Sequence, residues 1–185
     1  MLIEILKDNQ RWTALMLTVL AIGMAWTFTS RATAAASPAS PRQGFAAPDF
    51  TLELLGGGEV TLSELRGKPV VVNLWASWCP PCRAEMPAIQ KVYQDYQDLG
   101  LVVLGVNTTN QDNEADAAAF VRQYGLTFPI PLDRDGAVSV RYELRGLPTT
   151  FFIDREGMIR SVVVGGPMSE AVIRSKVEDL LKETP

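Results

Sequence analysis

The chain has 185 residues, 47% of them apolar, and a formal net charge of −4, so one packed domain plus a leader fits the length and no basic field exists for nucleic acid. It contains no histidine and only two cysteines. That excludes Ser-His-Asp and Cys-His nucleophile activation, the helical His-Glu-x-x-His zinc site and most copper sites. No repeat, P-loop or Gly-x-Gly-x-x-Gly is present, so the chemistry falls to two thiols, carboxylates or the backbone.

Residues 1–30 read as a membrane anchor or signal sequence. Trp12 to Phe28 carries no charge, and as a helix it would be about 25 Å long at ~1.5 Å per residue. Trp12 and Trp26 suit the two interfaces, and Lys7 and Arg11 ahead of the span favour an N-terminus inside. A single-pass transmembrane helix is therefore expected, with the domain outside the cytoplasm. Cleavage within "ATAAAS" would instead leave it secreted or periplasmic. Residues 31–44, rich in Ala, Ser and Pro, read as a flexible linker.

Residues 45–185 form the domain. "FTLELLGGGEVTL" reads as an N-terminal hairpin around three glycines, and "KPVVVNLWAS" as a strand buried on both faces. Met86, Ile89, Tyr93 and Tyr96 recur at helical spacing, with Gly100 placed to stop the helix. Trp75 belongs to the core, and Pro87 would kink this helix by removing the bond to the Arg83 carbonyl. "LVVLGVNTT" is a second buried strand, and Ala117, Phe120, Val121 and Tyr124 mark a helix closed by Gly125. Beyond a turn at Asp135-Gly136, "TTFFID" and "MIRSVVVGG" read as strands joined at Glu156-Gly157. A last helix, capped by Ser169, aligns Ile173, Val177, Leu180 and Leu181. The order predicts an α/β fold with a central sheet covered on both faces.

The two cysteines lie in "NLWASWCPPCRAEMP". Three readings compete. A staple closing so short a loop removes little chain entropy, and a zinc or copper clip lacks further Cys or His ligands. A redox pair fits Cys-x-x-Cys at a helix start, where the first thiol is exposed and the second shielded. On that reading Cys79 is the nucleophile and Cys82 the resolving thiol. Pro80 and Pro81 have no N–H, so only Cys82 N–H remains to stabilise the Cys79 thiolate, which favours a reductant over a strong oxidant.

Together with "APDFTL" and "GLPTTFFID", this stretch resembles the thioredoxin superfamily, and within its redoxin group the membrane-anchored thiol–disulfide oxidoreductases of the TlpA/ResA type, over about residues 45–183. The resemblance implies a thioredoxin-like mixed sheet and a redox disulfide Cys79–Cys82. It implies no cofactor and no metal. It also implies disulfide-containing protein substrates such as apocytochrome c, a membrane thiol donor, and a role in cytochrome c-type biogenesis by a monomer. Pro148 matches the family's cis-proline, and Leu147 would pair through its backbone with an extended substrate. Glu85 takes the place of a glutamate that modulates thiol protonation, whereas Asn73 stands where ordinary thioredoxins keep a buried aspartate. The bland reading of Glu85 is a solvated helix charge near Arg83. Trp78 would offer an apolar platform beside Pro80 and Pro81.

Thr149 after the proline, where a related cytochrome c maturation branch has an acid, favours the ResA/TlpA side. A thiol peroxidase is the first rival, because "APDFTL" also opens the peroxiredoxins. Ala76 and Val72, however, replace their threonine and proline. A Cu(I) carrier using Cys79, Cys82 and Met86 is the second rival.

Overall fold

The computed structural model describes residues 12–13, 15–24 and 39–182. Residues 12–13 and 15–24 are helical, but among the described residues no helix is long and apolar enough to cross a membrane. The transmembrane span expected over Trp12–Phe28 thus lies partly outside the described residues and is not established by those inside. The chain divides into two compact units, Met1–Ser37 and Pro38–Pro185. Residues 39–44, expected as the end of the linker, belong to the second unit. There Ser40 N–H donates to Ala46 O at 3.0 Å and Gly44 N–H to Ile159 O at 2.8 Å.

The second unit is the expected α/β domain. Strands β1 (Thr51–Glu53) and β2 (Glu59–Thr61) pair as the N-terminal hairpin, and Gly56, Gly57 and Gly58 between them all take positive φ. A mixed four-stranded sheet follows in the order β4-β3-β5-β6, from β3 (Val70–Trp75), β4 (Val102–Asn107), β5 (Thr149–Ile153) and β6 (Ile159–Val164). Central β3 runs parallel to β4 and antiparallel to β5, and all six of its residues are buried.

Side chains of β3 alternate between two cores, as the period of two requires. Val71 and Trp75 enter one cluster with α1 (Pro80–Tyr96), α2 (Glu114–Tyr124) and α4 (Glu170–Lys182). Val70, Val72 and Leu74 enter the other with Phe50, Leu62 and the short α3 (Ala137–Arg141). The same alternation puts Asn73 on the α1 side, where it is a polar intruder. Trp75 donates its indole N–H to Gly105 O at 3.0 Å, and a Cβ at Gly105 would stand 2.7 Å from the Phe128 ring and 3.3 Å from that indole nitrogen. Only glycine lets the ring lie this close to β4.

The helix stops fall where expected, Gly100 at φ 93° and Gly125 at φ 59°. Ser169 caps α4, its Oγ accepting from Val172 N at 3.4 Å. The sequence did not announce α3. Asp133, fully buried, holds it by accepting from Val138 N, Ser139 N and Ser139 Oγ at 3.0, 2.8 and 2.6 Å. The α1 helix continues through Pro87, which sits inside it.

Candidate active site

The site begins where β3 ends. Four residues later Cys79 forms the N-cap of α1 with extended backbone (φ −79°, ψ 110°), and Pro80 and Pro81 fill the first two helical positions. Cys79 and Cys82 are disulfide-bonded, Sγ–Sγ 2.06 Å and Cα–Cα 5.3 Å. The one early helix N–H left near the sulfur is that of Cys82, 3.3 Å from Cys79 Sγ. Proline chemistry thus removes two of the donors that a helix start ordinarily offers an anion. Among the described residues no group of three or more His, Cys, Asp or Glu is placed to hold a metal ion. Met86, the third ligand of the copper reading, is wholly buried in the core.

One expectation is corrected here. Cys79 does not stand exposed: it is 2% accessible, and Cys82 is 0% accessible. Cys79 instead lies in a groove of about 310 Å³ walled by Trp78, Pro80, Pro81, Gln111 and Leu147. The loop before β5, through Leu144, Arg145, Gly146 and Leu147, lines the groove together with Trp78.

Trp78 is 55% exposed and is held as a wall by its indole N–H, which donates to Gln111 O at 2.8 Å. The Leu147–Pro148 peptide is cis. Leu147 lines the groove while Pro148 is buried behind it. Among the described residues the Leu147 backbone N–H and C=O have no hydrogen-bond partner. That leaves both free to pair with an extended chain. A second cis peptide, Gly166–Pro167, was not foreseen. A Cβ at Gly166 would lie 2.8 Å from Glu85 Oε2 and 2.9 Å from Pro148 Cγ, so these three residues are packed in contact.

Glu85 is fully buried, so the solvated-charge reading fails. Its oxygens accept from Asn73 Nδ2 at 2.9 Å and from Met168 N at 3.1 Å. Burial pushes its carboxyl above the usual range, and these two hydrogen bonds offset the rise only in part. Arg83 turns away, donating to Ser77 O at 3.2 Å and lying over the Phe120 and Tyr124 rings. Cys82 and Glu85, three residues apart on α1, share a helix face.

Sequence reasoning missed Asp112. Its carboxylate accepts from Ser77 N, Ser77 Oγ, Asn107 Nδ2 and Asn113 N at 2.6, 2.7, 2.9 and 2.9 Å. Partial burial pushes this carboxyl up, but the hydrogen bonds outweigh burial and hold it below the usual range. It ties the loop after β4 to the segment that presents Trp78 and Cys79. The only sequence signal was an acid in a polar stretch after a buried strand, which marks most loops.

A redox disulfide at a helix start, with a cis-proline loop beside it on a thioredoxin-like sheet, defines a thiol–disulfide oxidoreductase. The comparisons with known proteins agree. The chain belongs to the AhpC/TSA family, which it matches over residues 44–162. It is 38% identical over 173 residues to the thiol-disulfide oxidoreductase ResA of Halalkalibacterium halodurans, covering 93% of this chain and 96% of that one. Among solved structures it is similar to a thiol:disulfide interchange protein of the thioredoxin family from Chlorobium tepidum, with TM-score 0.66 and 27% identity over 74% of this chain and 95% of that one. It is also similar to a secreted Mycobacterium tuberculosis disulfide oxidoreductase, with TM-score 0.66 and 28% identity over 71% and 96%. The chain is a protein thiol–disulfide oxidoreductase whose substrates are disulfide-containing proteins. Buried Ala76 and Val72 supply none of the polar contacts that a peroxidase site needs.

Proposed function

We infer that the domain works outside the cytoplasm, held to the membrane through its N-terminal segment, as a monomeric reductant of protein disulfides in cytochrome c maturation. The observation that carries the reductive direction is the Cys79 sulfur served by one helix N–H, that of Cys82. A thiolate so sparingly stabilised keeps the dithiol form reducing. The secreted relative supports the location, and the ResA relative supports the assignment. Thr149, buried and bonded to Gly146 O at 2.7 Å, presents no acid at the groove.

In the reaction, the Cys79 thiolate attacks one sulfur of the substrate disulfide. A mixed disulfide forms and the substrate's other sulfur leaves as a thiolate, which takes a proton from solvent. Leu147 holds the substrate chain while Trp78, Pro80 and Pro81 shape the groove. Glu85 accepts the Cys82 proton, and the Cys82 thiolate then attacks Cys79 Sγ. The intramolecular disulfide closes, the second substrate sulfur departs, and two electrons have passed to the substrate. A membrane thiol donor restores the dithiol.

The test uses the full-length chain carrying Cys82→Ser in intact cells. A membrane-impermeant thiol reagent should label Cys79 without lysis, and the covalently trapped partners should include apocytochrome c. Labelling only after lysis would overturn the exported placement, and trapping of cytoplasmic proteins alone would overturn the proposed substrate.

A further inference from the structure

Asn73 lies on β3 beneath α1 and is fully buried. Its Nδ2 donates twice, to Glu85 Oε1 at 2.9 Å and to Thr150 Oγ1 at 2.8 Å. Its Oδ1 is buried and has no hydrogen-bond partner among the described residues. A buried acceptor left unused calls for a reason, because most such groups are satisfied.

The neighbours of Glu85 supply one. The loop before α4 gives Met168 N–H to Oε2, and Gly166 and Pro148 close the remaining side. From β5, the Thr150 hydroxyl accepts from Asn73 and, among the described residues, does not bond to Glu85. The titratable group on the same helix face is Cys82, and Arg83 is turned over its two aromatic rings. No other charged side chain bonds to Glu85 among the described residues. Both contacts of Glu85 are therefore N–H donors, which suit an ionised carboxylate. A protonated carboxyl is different, since its O–H must find an acceptor. At Oε1 it meets an N–H.

The unused Asn73 Oδ1 belongs to the same planar amide, and a half-turn about the last side-chain torsion exchanges it with Nδ2, whose N–H groups then take the position that lacks a partner. The Thr150 hydroxyl tolerates either orientation because it both donates and accepts. We propose that Asn73 is a positioning residue whose amide turns over each time Glu85 gains or loses its proton, so that the buried carboxyl can carry the Cys82 proton without leaving either of its forms unpaired. The proposal rests on the proton-acceptor role given to Glu85 above. A titrating aspartate at position 73 would place a second negative charge beside that carboxyl, whereas an amide serves both of its states and holds no charge in either.

The test is nuclear magnetic resonance of the oxidised full-length protein, which needs no substrate. Glu85 Cδ and the Asn73 side-chain Cγ and Nδ2 signals are followed against pH. The Asn73 signals should shift with the same midpoint as Glu85, and the contacts of its amide protons to Thr150 should change across that midpoint. Asn73 signals that stay flat through the Glu85 titration would overturn the proposal.

In a second arm, Asn73→Val should raise the Glu85 midpoint by about one pH unit or more, because the charge-assisted bond lost from the carboxylate is the stronger of the two. The pH profile of Cys82 attack should move with it. An unchanged midpoint in a folded variant would contradict the proposal. Should the variant not fold, the wild-type titration decides. Failure here leaves protein-disulfide reduction standing, and inactivity toward protein disulfides would leave this titration readable.

Discussion

Replacing Cys82 by Ser is expected to abolish turnover with protein disulfides while leaving the first chemical step intact. Cys79 keeps its place at the N-cap of α1, and the backbone N–H of residue 82, 3.3 Å from its sulfur in the oxidised protein, remains whatever side chain stands there. The variant should therefore attack a substrate disulfide and stop, holding the partner as a covalent complex that dithiothreitol releases. Cys79→Ser should lose turnover equally and capture nothing. The contrast assigns the roles, because both variants lose the same bond. Stability does not confuse the comparison. Closing a loop this short is worth about 2 kcal/mol on the chain-entropy scale, and two separate apolar cores hold the sheet without it. Capture by Cys79→Ser and not by Cys82→Ser would reverse the assignment of nucleophile and resolving thiol.

The second large effect is expected at Glu85. Glu85→Gln keeps the volume and one acceptor oxygen but cannot take a proton. The attack of Cys82 on the mixed disulfide should slow about a hundredfold near neutral pH, in the range usual for a lost general base. Its rate should then rise with pH, following the unaided ionisation of Cys82. Burial raises the folded-state carboxyl above its unfolded value, so the folded protein holds this proton more tightly. The group's stabilising contribution is thus present below the ordinary carboxylate range and is lost as pH rises through the elevated value. The Gln variant should lack that loss in denaturant titrations between acid and neutral pH. Stopped-flow measurement of mixed-disulfide resolution checks the first effect. An unaltered pH–rate profile would remove Glu85 from the chemistry.

Much of this was legible in the chain. The nearly continuous apolar run of β3, the glycines of the hairpin and the periodic faces of α1, α2 and α4 are strong local signals, and the structure has each. The cis peptide at Pro148 and the paired cysteines followed from motif resemblance, because a lone proline or a lone Cys-x-x-Cys has several meanings. What stayed hidden depends on contacts between distant segments. The five residues of α3 are too few to show a helical period, and Asp133 holds them from outside. Asp112 reads as an ordinary loop acid until Ser77, 35 residues away, is brought against it. Cys79 was expected at the surface because helix starts usually are, yet Trp78 and the loop carrying Leu147 enclose it. Glu85 was singled out by resemblance, but its burial beside the loop at Gly166 and Met168 is something no local pattern announces.

The most direct test is the reduction potential of the Cys79–Cys82 couple, from equilibration of the purified protein with dithiothreitol or glutathione buffers. A sulfur anion supported by one backbone donor predicts a single reversible two-electron step more reducing than about −200 mV, on the thioredoxin side of the range. A potential near about −120 mV, typical of a strong oxidant, would contradict the account. So would cysteines that do not cycle between dithiol and disulfide.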